Sequence, residues 1–456
     1  MPLFNEIAAF VQDDWRVNSK VNLSLGLRWE VNPPPTGADA RDAYTLLGSF
    51  SAPNTLMLAP AGTPLWKTAW YNFAPRLGVA WRAQNHPGWE TVVRTGGGVF
   101  FDTNNKVVAG GFFGIGFIAI QVYSGVPVPL TPAQVNISPS TIPPFNGATA
   151  YIFPPHLQLP YTLQWNTSVE QAMGKSQALT VSYVGAAGRR LMQDQTTNTG
   201  PNPNFPNVEF YPSGVTSDYQ ALQIEFQRHM SHGLQALASY TWSHSIDYGS
   251  NDAANPLVRG NSDFDVRHNF SGGVSWDLPS TARNRLIGDL LGHWGVDSRL
   301  QARTAFPMTL QGNFLVNPAD GSSYYGNPNL VPGQAIYLYG SQYPGGRSVN
   351  PAAFIIPTDP NDPGNAPRNF VRGFGAWQIN LALRREFPIH DKVRLQFRAE
   401  AFNILNHPNF GYVDPYLFDA QFGQAIQMLN QSLATLSSLY QQGGPRSMQF
   451  ALKLAF

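Results

Sequence analysis

Segments of about nine to twelve residues in which apolar and polar side chains alternate recur along the chain, and this repeat most constrains the fold. The clearest one, "VNLSLGLRWE" at Val21 to Glu30, has only apolar residues at odd-numbered positions and Asn, Ser, Gly, Arg and Glu at even-numbered ones. A period of two is that of a β-strand, so the sequence predicts an all-β fold whose strands each have an apolar and a polar face. Thirteen strands are predicted: Ile7 to Trp15, Val21 to Glu30, Asn72 to Arg82, Thr91 to Phe101, Tyr161 to Gln171, Ala178 to Gly185, Gln220 to Arg228, Leu234 to His244, Asn269 to Leu278, Trp294 to Arg303, Trp377 to Phe387, Lys392 to Asn403 and Ser447 to Phe456.

The connections between these strands alternate between short and long. Short ones, such as "RVNSK" at Arg16 to Lys20 and "HMSHG" at His229 to Gly233, are separated by segments of roughly 25 to 70 residues. In an up-and-down sheet, this alternation places every long segment at the same end. A compact soluble domain seldom holds one loop of that length, whereas transmembrane β-barrels combine short periplasmic turns with long extracellular loops.

The alternative is a large soluble sandwich or propeller, in which the apolar face packs on a second sheet. Strand length argues against it, because soluble strands average about five to six residues and a tilted membrane-spanning strand needs about nine to eleven. Aromatic residues also lie near strand ends, as in the aromatic girdles of membrane barrels: Trp15, Trp29, Trp81, Tyr161, Tyr240, Trp242, Trp276, Trp294 and Trp377. The polar faces carry charges, as a solvated lumen would: Arg28, Glu30, Arg94, Glu170, Glu225, Arg384, Arg394, Arg398 and Glu400. The sequence therefore predicts a transmembrane antiparallel up-and-down β-barrel in a bacterial outer membrane.

Composition excludes several classes of function. The formal net charge is +1 and no run of basic residues occurs, so no nucleic-acid partner is predicted. The chain has no cysteine, which excludes disulfides, thiolate catalysis and Cys-ligated zinc. It also has no run of about 18 uncharged apolar residues, so no transmembrane helix is predicted.

Seven stretches, spread over nearly the whole chain, together resemble one known family. They are "FVQDDWRVNSKVNLSLGLRWE" (Phe10 to Glu30), "NFAPRLGVAW" (Asn72 to Trp81), "LQWNTSVEQAMGKSQALTVSYVGAAGRRL" (Leu163 to Leu191), "YQALQIEFQRHMSHGLQALASYTWSHSID" (Tyr219 to Asp247), "DVRHNFSGGVSWDLP" (Asp265 to Pro279), "FRAEAFNILNHPNFG" (Phe397 to Gly411) and the terminal "FALKLAF". In this order they are similar to the TonB-dependent outer-membrane receptors, especially the Oar-like, carboxypeptidase-regulatory-domain type abundant in Acidobacteria.

This resemblance implies a barrel of about 22 strands, preceded by a signal peptide, a β-sandwich domain, a TonB box and a plug. The N-terminal "MPLFNEIAAF" does not have the basic and apolar regions of a signal peptide. Thirteen is an odd number, whereas bacterial single-chain barrels have an even one. We therefore expect residues 1–456 to be the C-terminal part of a receptor barrel, about 13–14 of 22 strands, with the signal peptide, plug and first strands absent. A strand missed within Gly114 to Val126 would weaken this parity argument.

The resemblance also implies a role for the last strand, which ends in an aromatic residue. Phe450, Leu452, Leu454 and Phe456 occupy the positions of the signal that the barrel-assembly machinery recognises in this family. From the residues alone, a terminal strand in lipid has to pair with the first strand, because a free edge is costly there. The expected partners are therefore outer-membrane lipid and the assembly machinery, with the TonB complex only if a plug is supplied upstream.

Few residues indicate chemistry. Six oxygen- or nitrogen-bearing residues fall in or beside one predicted loop, and their oxygens would suit a hard cation: Asp247, Asn251, Asp252, Asp263, Asp265 and His268. Loops are rich in Asp and Asn because these residues favour turns, so no metal site is predicted. Asp265 and His268 form the only plausible catalytic pair, and no nucleophile accompanies them, so neither an enzyme nor a cofactor is predicted.

Four other features have simpler explanations than a binding site. His229 and His232 lie in a predicted hairpin turn, where their side chains are expected in solvent. The glycines of "AGGFFGIGF" (Ala109 to Phe117) have no P-loop lysine and are expected to serve packing. The sequon at Asn166 lies within a strand and predicts a side chain that faces the lumen. Gln421 to Gly444 has the apolar stripe of an amphipathic helix, expected to pack on the barrel mouth, with a binding helix as the alternative.

The sequence as a whole predicts the barrel portion of a receptor that takes up a scarce nutrient. Binding would fall to the long extracellular loops Val31 to Tyr71, Asp102 to Pro160 and Thr304 to Phe374, whose aromatic, Asn and Gln residues suit carbohydrate or peptide. A passive porin or adhesin-like structural barrel is the first alternative. An extracellular soluble β-protein, with apolar faces buried against each other, is the second.

Overall fold

A single antiparallel sheet, which we call the barrel wall, dominates the molecule. The computed structural model describes residues 1–49, 52–103, 106–143, 145, 147–193, 195–198, 202, 204–205, 207–249, 258–279, 292–312, 314–316, 323–359, 362–390, 393–432 and 443–455. Within these ranges, thirteen strands follow one another through the wall in chain order. They are β1 (Ile7–Arg16), β2 (Val21–Val31), β3 (Asn72–Gln84), β4 (Thr91–Phe101), β5 (Tyr161–Met173), β6 (Gln177–Met192), β7 (Ser213–Ser231), β8 (Leu234–Asp247), β9 (His268–Asp277), β10 (Trp294–Arg303), β11 (Ala376–His390), β12 (Val393–Phe402) and β13 (Ser447–Ala455). The thirteen predicted strands are confirmed.

The connections confirm the predicted alternation of short turns and long loops. The short ones are residues 17–20, 85–90, 174–176, 232–233, 278–293 and 391–392, and the long ones are 32–71, 102–160, 193–212, 248–267, 304–375 and 403–446. The tightest turn, between β7 and β8, has φ of 53° at His232 and 74° at Gly233. Two left-handed residues form the two-residue hairpin turn that matches the twist of paired strands. A fourteenth strand of the sheet, Gly260–Asn261, pairs with the loop end of β8.

The register of the strands sorts the wall side chains into two faces. Leu25 lies opposite Leu77 on one face, and Ser24 lies opposite Gly78 on the other. We call the apolar face the outward face and the polar face the inward face. The outward side chains remain uncovered by the described residues, since Leu77 is 50% exposed and Phe450 is 70% exposed. A soluble sandwich would bury this face against a second sheet, so the outward face is the surface that contacts lipid.

Aromatic residues mark both ends of the outward face, as predicted. Near the short turns lie Trp15, Trp81, Trp276 and Trp294, and near the long loops lie Trp29, Tyr161 and Trp377. The guanidinium of Arg385 lies 5.2 Å from the ring centroid of Trp294 and 4.4 Å from that of Phe387. Such stacking lets a charged side chain lie at the membrane interface while its stem covers apolar surface.

The long loops fold into two assemblies with short elements of their own. The first loop assembly (residues 32–71, 102–160 and 193–212) contains strands Thr36–Gly37, Leu46–Ser49, Ala52–Leu58, Ala150–Ile152, Gln195–Asn198 and Asn207–Phe210, the 3-10 helix Lys106–Phe113 and the α-helix Pro132–Val135; Thr36–Gly37 pairs with Pro2–Leu3. The second loop assembly (residues 248–267, 304–375 and 403–446) contains strands Pro307–Met308, Phe314–Val316, Ser323–Tyr325, Asn329–Leu330, Tyr337–Tyr339, Arg347–Val349, Phe354–Ile355 and Val371–Arg372, the 3-10 helices Pro344–Gly346 and Pro351–Ala353 and the α-helix Leu429–Ser432.

Three hydrophobic core clusters lie in these loop assemblies and not in the wall. In the first assembly, Phe145 stacks on Phe205 with ring centroids 5.0 Å apart, which joins two different loops. In the second, Val371 and Phe422 belong to one buried cluster. The loops are therefore compact structures held by the burial of apolar surface from water.

One predicted element is wrong in part. Residues 421–428 of the predicted helix from Gln421 to Gly444 form turns and isolated bridges, and the α-helix begins only at Leu429. Gly423 has a φ of 74°, which a continuing helix does not allow, and Phe422 is buried in a loop core. The apolar spacing at the start of this segment thus reflects loop packing. Residues 433–442 of the predicted helix lie outside the described part of the chain.

Two further observations concern a possible extra wall strand and a possible membrane-spanning helix. Residues 114–126 form no strand, so the structure adds no wall strand where one was considered. No helix in the described ranges is long and apolar enough to cross a membrane.

Candidate functional site

A row of charged and hydroxyl side chains crosses four neighbouring strands on the inward face. This lumenal ladder consists of Ser275 and Asp277 on β9, Asp297 on β10, Arg384 on β11, and Arg398 and Glu400 on β12. Asp297 accepts hydrogen bonds from Ser275 (2.7 Å), from Nε of Arg384 (3.2 Å) and from Arg398 (2.6 Å). Arg384 also pairs with Asp277, and Arg398 with Glu400 (2.8 Å). The ladder ties four strands together through charge-assisted hydrogen bonds.

A glycine makes room for this ladder. A Cβ on Gly295 would be 2.5 Å from Cζ of Arg384, so the guanidinium can lie flat over the backbone of β10 only because residue 295 has no side chain. The sequence predicts Arg384, Arg398 and Glu400 as polar-face residues, whereas Asp277 and Asp297 are not among the residues predicted from it. Both fall at the polar positions of their strands, and that parity could have identified them.

Another part of the inward wall is lined by several glycines. A cavity of about 630 Å³ lies over β2 to β6, with Gly26, Gly78, Gly96 and Gly98 in its lining. Arg76 lines the same cavity and its guanidinium lies 4.5 Å from the ring centroid of Phe100. Asn166, predicted to face the lumen, also lines it, which confirms that prediction. The inward face therefore has an ion-pair network on β9 to β12 and a glycine-lined depression on β2 to β6.

At the loop end, a buried carboxylate connects two long loops. The side chain of Asp265 is fully buried and accepts hydrogen bonds from His244 (3.0 Å), the Ser245 backbone N–H (2.8 Å) and Arg372. Burial by itself raises the pKa of Asp265, but the bonds from His244, Arg372 and Ser245 outweigh it, so the pKa of this carboxyl lies below its usual range. Asp265 is held as a carboxylate.

A second arginine makes a similar connection. Arg368, 5% exposed, donates to Asp247 (2.7 Å) and Asp263 (2.9 Å). Asn369 donates to the carbonyl oxygen of Asn261 (2.9 Å) and receives a bond from the Asn261 side chain (2.8 Å). We call Asp247, Asp263, Asp265, Arg368 and Arg372 the loop lock, because they fix residues 258–267 against residues 304–375.

The loop lock accounts for most of the acidic residues considered as metal ligands. Asp247, Asp263 and Asp265 all pair with arginines, which leaves them no role as a cation site in this arrangement. Within the described ranges, no group of three His, Cys, Asp or Glu side chains is arranged to hold a metal ion. Asn251 and Asp252 lie outside the described residues.

The predicted catalytic pair is not brought together by these contacts. Asp265 bonds to His244, whereas the Nδ1 of His268 lies 2.7 Å from the hydroxyl of Tyr240. The hairpin histidines do not converge through their hydrogen bonds either, since the ring of His232 contacts Ser231. Gly110 packs against Tyr151, whose Cε1 would lie 2.6 Å from a Cβ at residue 110, so the expected packing role of this glycine segment is confirmed.

The last strand has the form predicted for it. Met448, Phe450, Leu452 and Leu454 lie on the outward face of β13, and each is exposed. β13 pairs with β12, and β1 pairs with β2; among the described residues neither has a second wall partner. Phe456 lies outside the described part of the chain.

Some of the exposed aromatic side chains lie in the loop segments that were predicted to bind a ligand. They include Trp70 and Tyr71 in the first loop assembly and Tyr339 in the second, with Tyr71 88% and Tyr339 73% exposed. Exposed rings on a folded platform can stack on flat faces of a ligand. The structure thus combines a polar wall with ring-bearing loops at one end.

Comparisons with known proteins agree with this architecture. The family model described as "Outer membrane beta barrel domain" matches residues 2–449. No curated protein matches the chain.

Several solved structures are similar to the chain at low sequence identity. The ferripyoverdine receptor of the outer membrane of Pseudomonas aeruginosa matches 99% of this chain at 10% identity and a TM-score of 0.47, and the match covers 39% of that receptor. The FrpB iron transporter from Neisseria meningitidis (F3-3 variant) matches 100% of this chain at 9% identity and 0.48, with 45% of the transporter covered. The copper transporter OprC matches 99% at 10% identity and 0.45, with 48% covered. The chain spans less than half the length of each.

Proposed function

The chain belongs to the outer membrane β-barrel domain family and resides in the outer membrane, and from this premise we propose that it is the barrel portion of a TonB-dependent receptor that takes up a scarce nutrient. The Oar-like, carboxypeptidase-regulatory-domain type is part of this proposal, because the motifs from Phe10 to Gly411 follow that pattern. The role proposed is transport, without catalysis.

One observation carries the proposal: a polar inward wall opens beneath two folded loop assemblies. A simple structural barrel has no need for loops of 40 to 70 residues that build their own cores, since short loops close a barrel equally well. Folded loops of this size are typical of binding surfaces on a rigid scaffold. The charged side chains of the lumenal ladder give the passage beneath them a solvated lining.

We further propose that residues 1–456 are the C-terminal part of the receptor barrel, and that a signal peptide, a plug and the first strands are encoded upstream. Support comes from the odd number of wall strands in the described ranges and from the single wall partner of β1 and of β13. In lipid, an unpaired strand edge costs several kcal/mol per unsatisfied group, so both edges require partners. Sequencing the DNA upstream of the Met1 codon in all three frames tests this: a promoter and stop codon without such sequences would overturn it.

The ligand class proposed is carbohydrate or peptide. Tyr71 and Tyr339 are the exposed rings that support it, because sugar faces and peptide side chains stack on such surfaces. The test is binding of the purified protein to a glycan array and to a pool of tryptic peptides, with Tyr71→Ala and Tyr339→Ala. Each change should weaken binding, whereas Tyr183→Ala, on the outward face of the wall, should have no effect. Equal loss in all three variants would contradict the assignment to the loops.

Uptake measurements separate this proposal from a passive porin. Cells that express the full gene should accumulate the bound ligand only when the TonB complex is present. Uptake that continues without the TonB complex, and that rises linearly with solute concentration, would indicate an open pore. Binding without any uptake would indicate an adhesin-like barrel.

The terminal strand is proposed as the recognition element for the barrel-assembly machinery. Phe450, Leu452 and Leu454 support it, since they form a continuous apolar row on the outward face of the final strand, and Phe456 completes the motif in the sequence.

A further inference from the structure

Four aromatic side chains form a continuous row on the second loop assembly, which we call the ring row. Phe314 and Tyr325 lie opposite each other on paired strands, with their ring centroids 5.3 Å apart. The ring of Tyr325 is 5.4 Å from that of Tyr416, and the ring of Tyr416 is 5.5 Å from that of Phe418. The row therefore joins two of the long loops.

The ring row is exposed because the residue in the middle of its last segment points inward. Leu417, between Tyr416 and Phe418, packs against the buried core cluster of this assembly. Its backbone N–H donates to the carbonyl oxygen of Gln311 (2.9 Å), which fixes the segment on the neighbouring loop. The rings at the two ends of the row, Phe314 and Phe418, remain 53% and 54% exposed. Contiguous exposed apolar groups, unlike single ones, mark interaction sites.

Two carboxyl groups lie beside the ring row. Asp414 is 4% exposed, and its side chain accepts a hydrogen bond from the backbone N–H of Tyr416 (3.0 Å). Asp419 is exposed and directly follows Phe418, and its backbone N–H donates to the carbonyl oxygen of Tyr416 (3.0 Å). Burial raises the pKa of Asp414 and the charge of Asp419 adds to this, so the two carboxyls are close together.

The second loop assembly supplies no cation for these carboxyls. No Lys, Arg or His side chain in the described ranges forms an ion pair with Asp414 or Asp419. The sequence of the remaining parts of this assembly contains none of these three residue types: 250–257, 313, 317–322, 360–361 and 433–442. The surface formed by the rings and the carboxyls is therefore complementary in charge to a cation.

The geometry of the rings favours a guanidinium group. Neighbouring rings of the row meet at interplanar angles of 69° and 63°, so a face lies beside an edge, and ring faces attract cations. The same assembly already holds one arginine in this way, since the guanidinium of Arg347 lies 4.7 Å from the ring centroid of Tyr337 and 4.9 Å from that of Phe374. A guanidinium both stacks on rings and donates to carboxylates.

We propose that the ring row binds a peptide through an arginine side chain. The guanidinium pairs with Asp419 and lies over the ring of Phe418, while the rest of the peptide follows the row past Tyr416 and Tyr325 to Phe314. Three centroid spacings reach at most about 16 Å, the length of roughly five residues of an extended peptide. This inference rests on the proposed uptake function, and it selects a basic peptide from the two ligand classes proposed there.

The test uses the protein expressed from the full gene and purified from outer membranes in mild detergent. The probes are two libraries of capped five-residue peptides that have arginine or its uncharged isostere citrulline at the centre and randomised uncharged residues elsewhere. Mass spectrometry counts the peptides that the protein retains. The wild type should retain the arginine library about tenfold more strongly than the citrulline library, and added salt should reduce this preference.

Variants at the end of the ring row test the two parts of the contact. Asp419→Asn should reduce the preference for arginine to about twofold, because the rings remain, and Phe418→Ala should lower it as well. Asp39→Asn and Phe113→Ala are the matched controls, since they remove an exposed carboxylate and a 64% exposed ring from the first loop assembly. Both should keep the wild-type preference. Heat-modifiable migration on gels verifies folding, and Phe418→Ala serves if Asp419→Asn is not folded.

Failure of this inference and failure of the proposed function give different results. Equal retention of the two libraries, or an unchanged preference in Asp419→Asn, overturns the arginine contact and leaves ligand binding by the loops in place. Retention of neither library, while glycans on an array are bound, also overturns it and leaves carbohydrate as the ligand class. If neither peptides nor glycans bind, the proposed function fails as well.

Discussion

Arg372 donates a hydrogen bond to the fully buried carboxylate of Asp265 across 107 positions of sequence. The same arginine donates to the backbone oxygens of Asp265 (2.5 Å) and Ala305 (3.3 Å), so one guanidinium joins three points of the second loop assembly. A buried pair of this kind is strongly destabilising when one partner is removed, because the other charge stays behind without compensation.

Removal of this ion pair should loosen the loops and leave the wall intact. Asp265→Ala should destabilise the second loop assembly by about 3 kcal/mol, with faster hydrogen exchange in residues 258–267 and 369–375. The measurement is exchange mass spectrometry on the protein in detergent. Asp39→Asn, in the first loop assembly, removes an acidic group whose side chain makes no hydrogen bond or ion pair with the described residues, and it should change nothing. Faster exchange throughout the wall strands would contradict a role confined to the loops.

Two buried carboxyls should give the second loop assembly opposing responses to pH. The folded-state pKa of Asp265 is lowered, so its stabilisation is present above the unfolded pKa of about 3.9 and is lost as the pH falls through the folded value. Burial raises the pKa of Asp414, and the nearby Asp419 adds to this. The contribution of Asp414 is therefore present below the unfolded pKa and is lost as the pH rises through the raised folded value.

Urea titrations at a series of pH values measure both effects. Asp414→Asn should raise loop stability at neutral pH, since it removes a charge from a buried position, whereas Asp265→Asn should lower it. Stability of Asp265→Asn that still falls on acidification as steeply as in the wild type would show that another carboxyl is responsible.

The lumenal ladder predicts a cost for loss of its central carboxylate. Asp297→Ala leaves Arg384 and Arg398 facing each other without the acid that joins them, and should destabilise the wall by about 2 to 3 kcal/mol. Glu225→Gln is a suitable control, because Glu225 lies on the inward face of β7 and its side chain makes no hydrogen bond or ion pair with the described residues. Thermal unfolding followed by gel mobility should separate the two variants. Equal midpoints would mean that solvent in the lumen replaces the lost bonds.

The position of the Trp165 indole over Gly185 predicts that alanine destabilises the wall at residue 185 but not at residue 273, where another wall glycine lies. Gly185→Ala forces the indole off its place over β6, and we expect a loss of about 1 to 3 kcal/mol. Gly273→Ala places its Cβ 3.9 Å from the nearest atom and should be neutral. The readout is the midpoint of the unfolding transition of the wall in detergent. A larger loss of stability from the change at residue 273 than from the change at residue 185 would refute the packing of the Trp165 indole against Gly185.

The terminal strand predicts an effect on assembly that leaves stability unchanged. Replacement of Phe456 and Phe450 by Ala should reduce the amount of protein that reaches the outer membrane, because the proposed recognition motif is lost. Protein refolded in detergent should be as stable as the wild type within about 1 kcal/mol, since Phe450 is 70% exposed on the lipid face. Normal membrane levels in cells would remove the support for this role.

The wall could be predicted from the sequence because its pattern is local. In β2, odd-numbered and even-numbered residues lie on opposite faces. The faces of Leu25 and Ser24 can therefore be predicted without knowing which residues lie opposite them. The loop cores could not be predicted in the same way. Phe145 and Phe205 stack across two different loops, and the period-two pattern contains no information on which loops meet.

The loop lock shows the same limit for the candidate site. Asp265 and His268 are close in sequence and were predicted as a pair, but Asp265 bonds instead to Arg372, which lies on another loop. The helix predicted from Gln421 is wrong for a related reason. Phe422 is apolar because it is buried in the same loop core as Val371, and not because it lies on the apolar face of a helix. Long-range contacts decide both cases.

The three hydrophobic cores lie in the loops, so the stability of the loop assemblies depends on water. The stability of the wall depends on the surrounding lipid. Water drives the loop assemblies together, and its displacement by urea weakens them, whereas the wall depends on its backbone ladder and on lipid. Denaturation should therefore occur in two separate transitions, and a single midpoint would average unrelated quantities. Sequence changes in the loops can then accumulate without any penalty in the strands, so the loops can diverge while the membrane-spanning frame stays fixed.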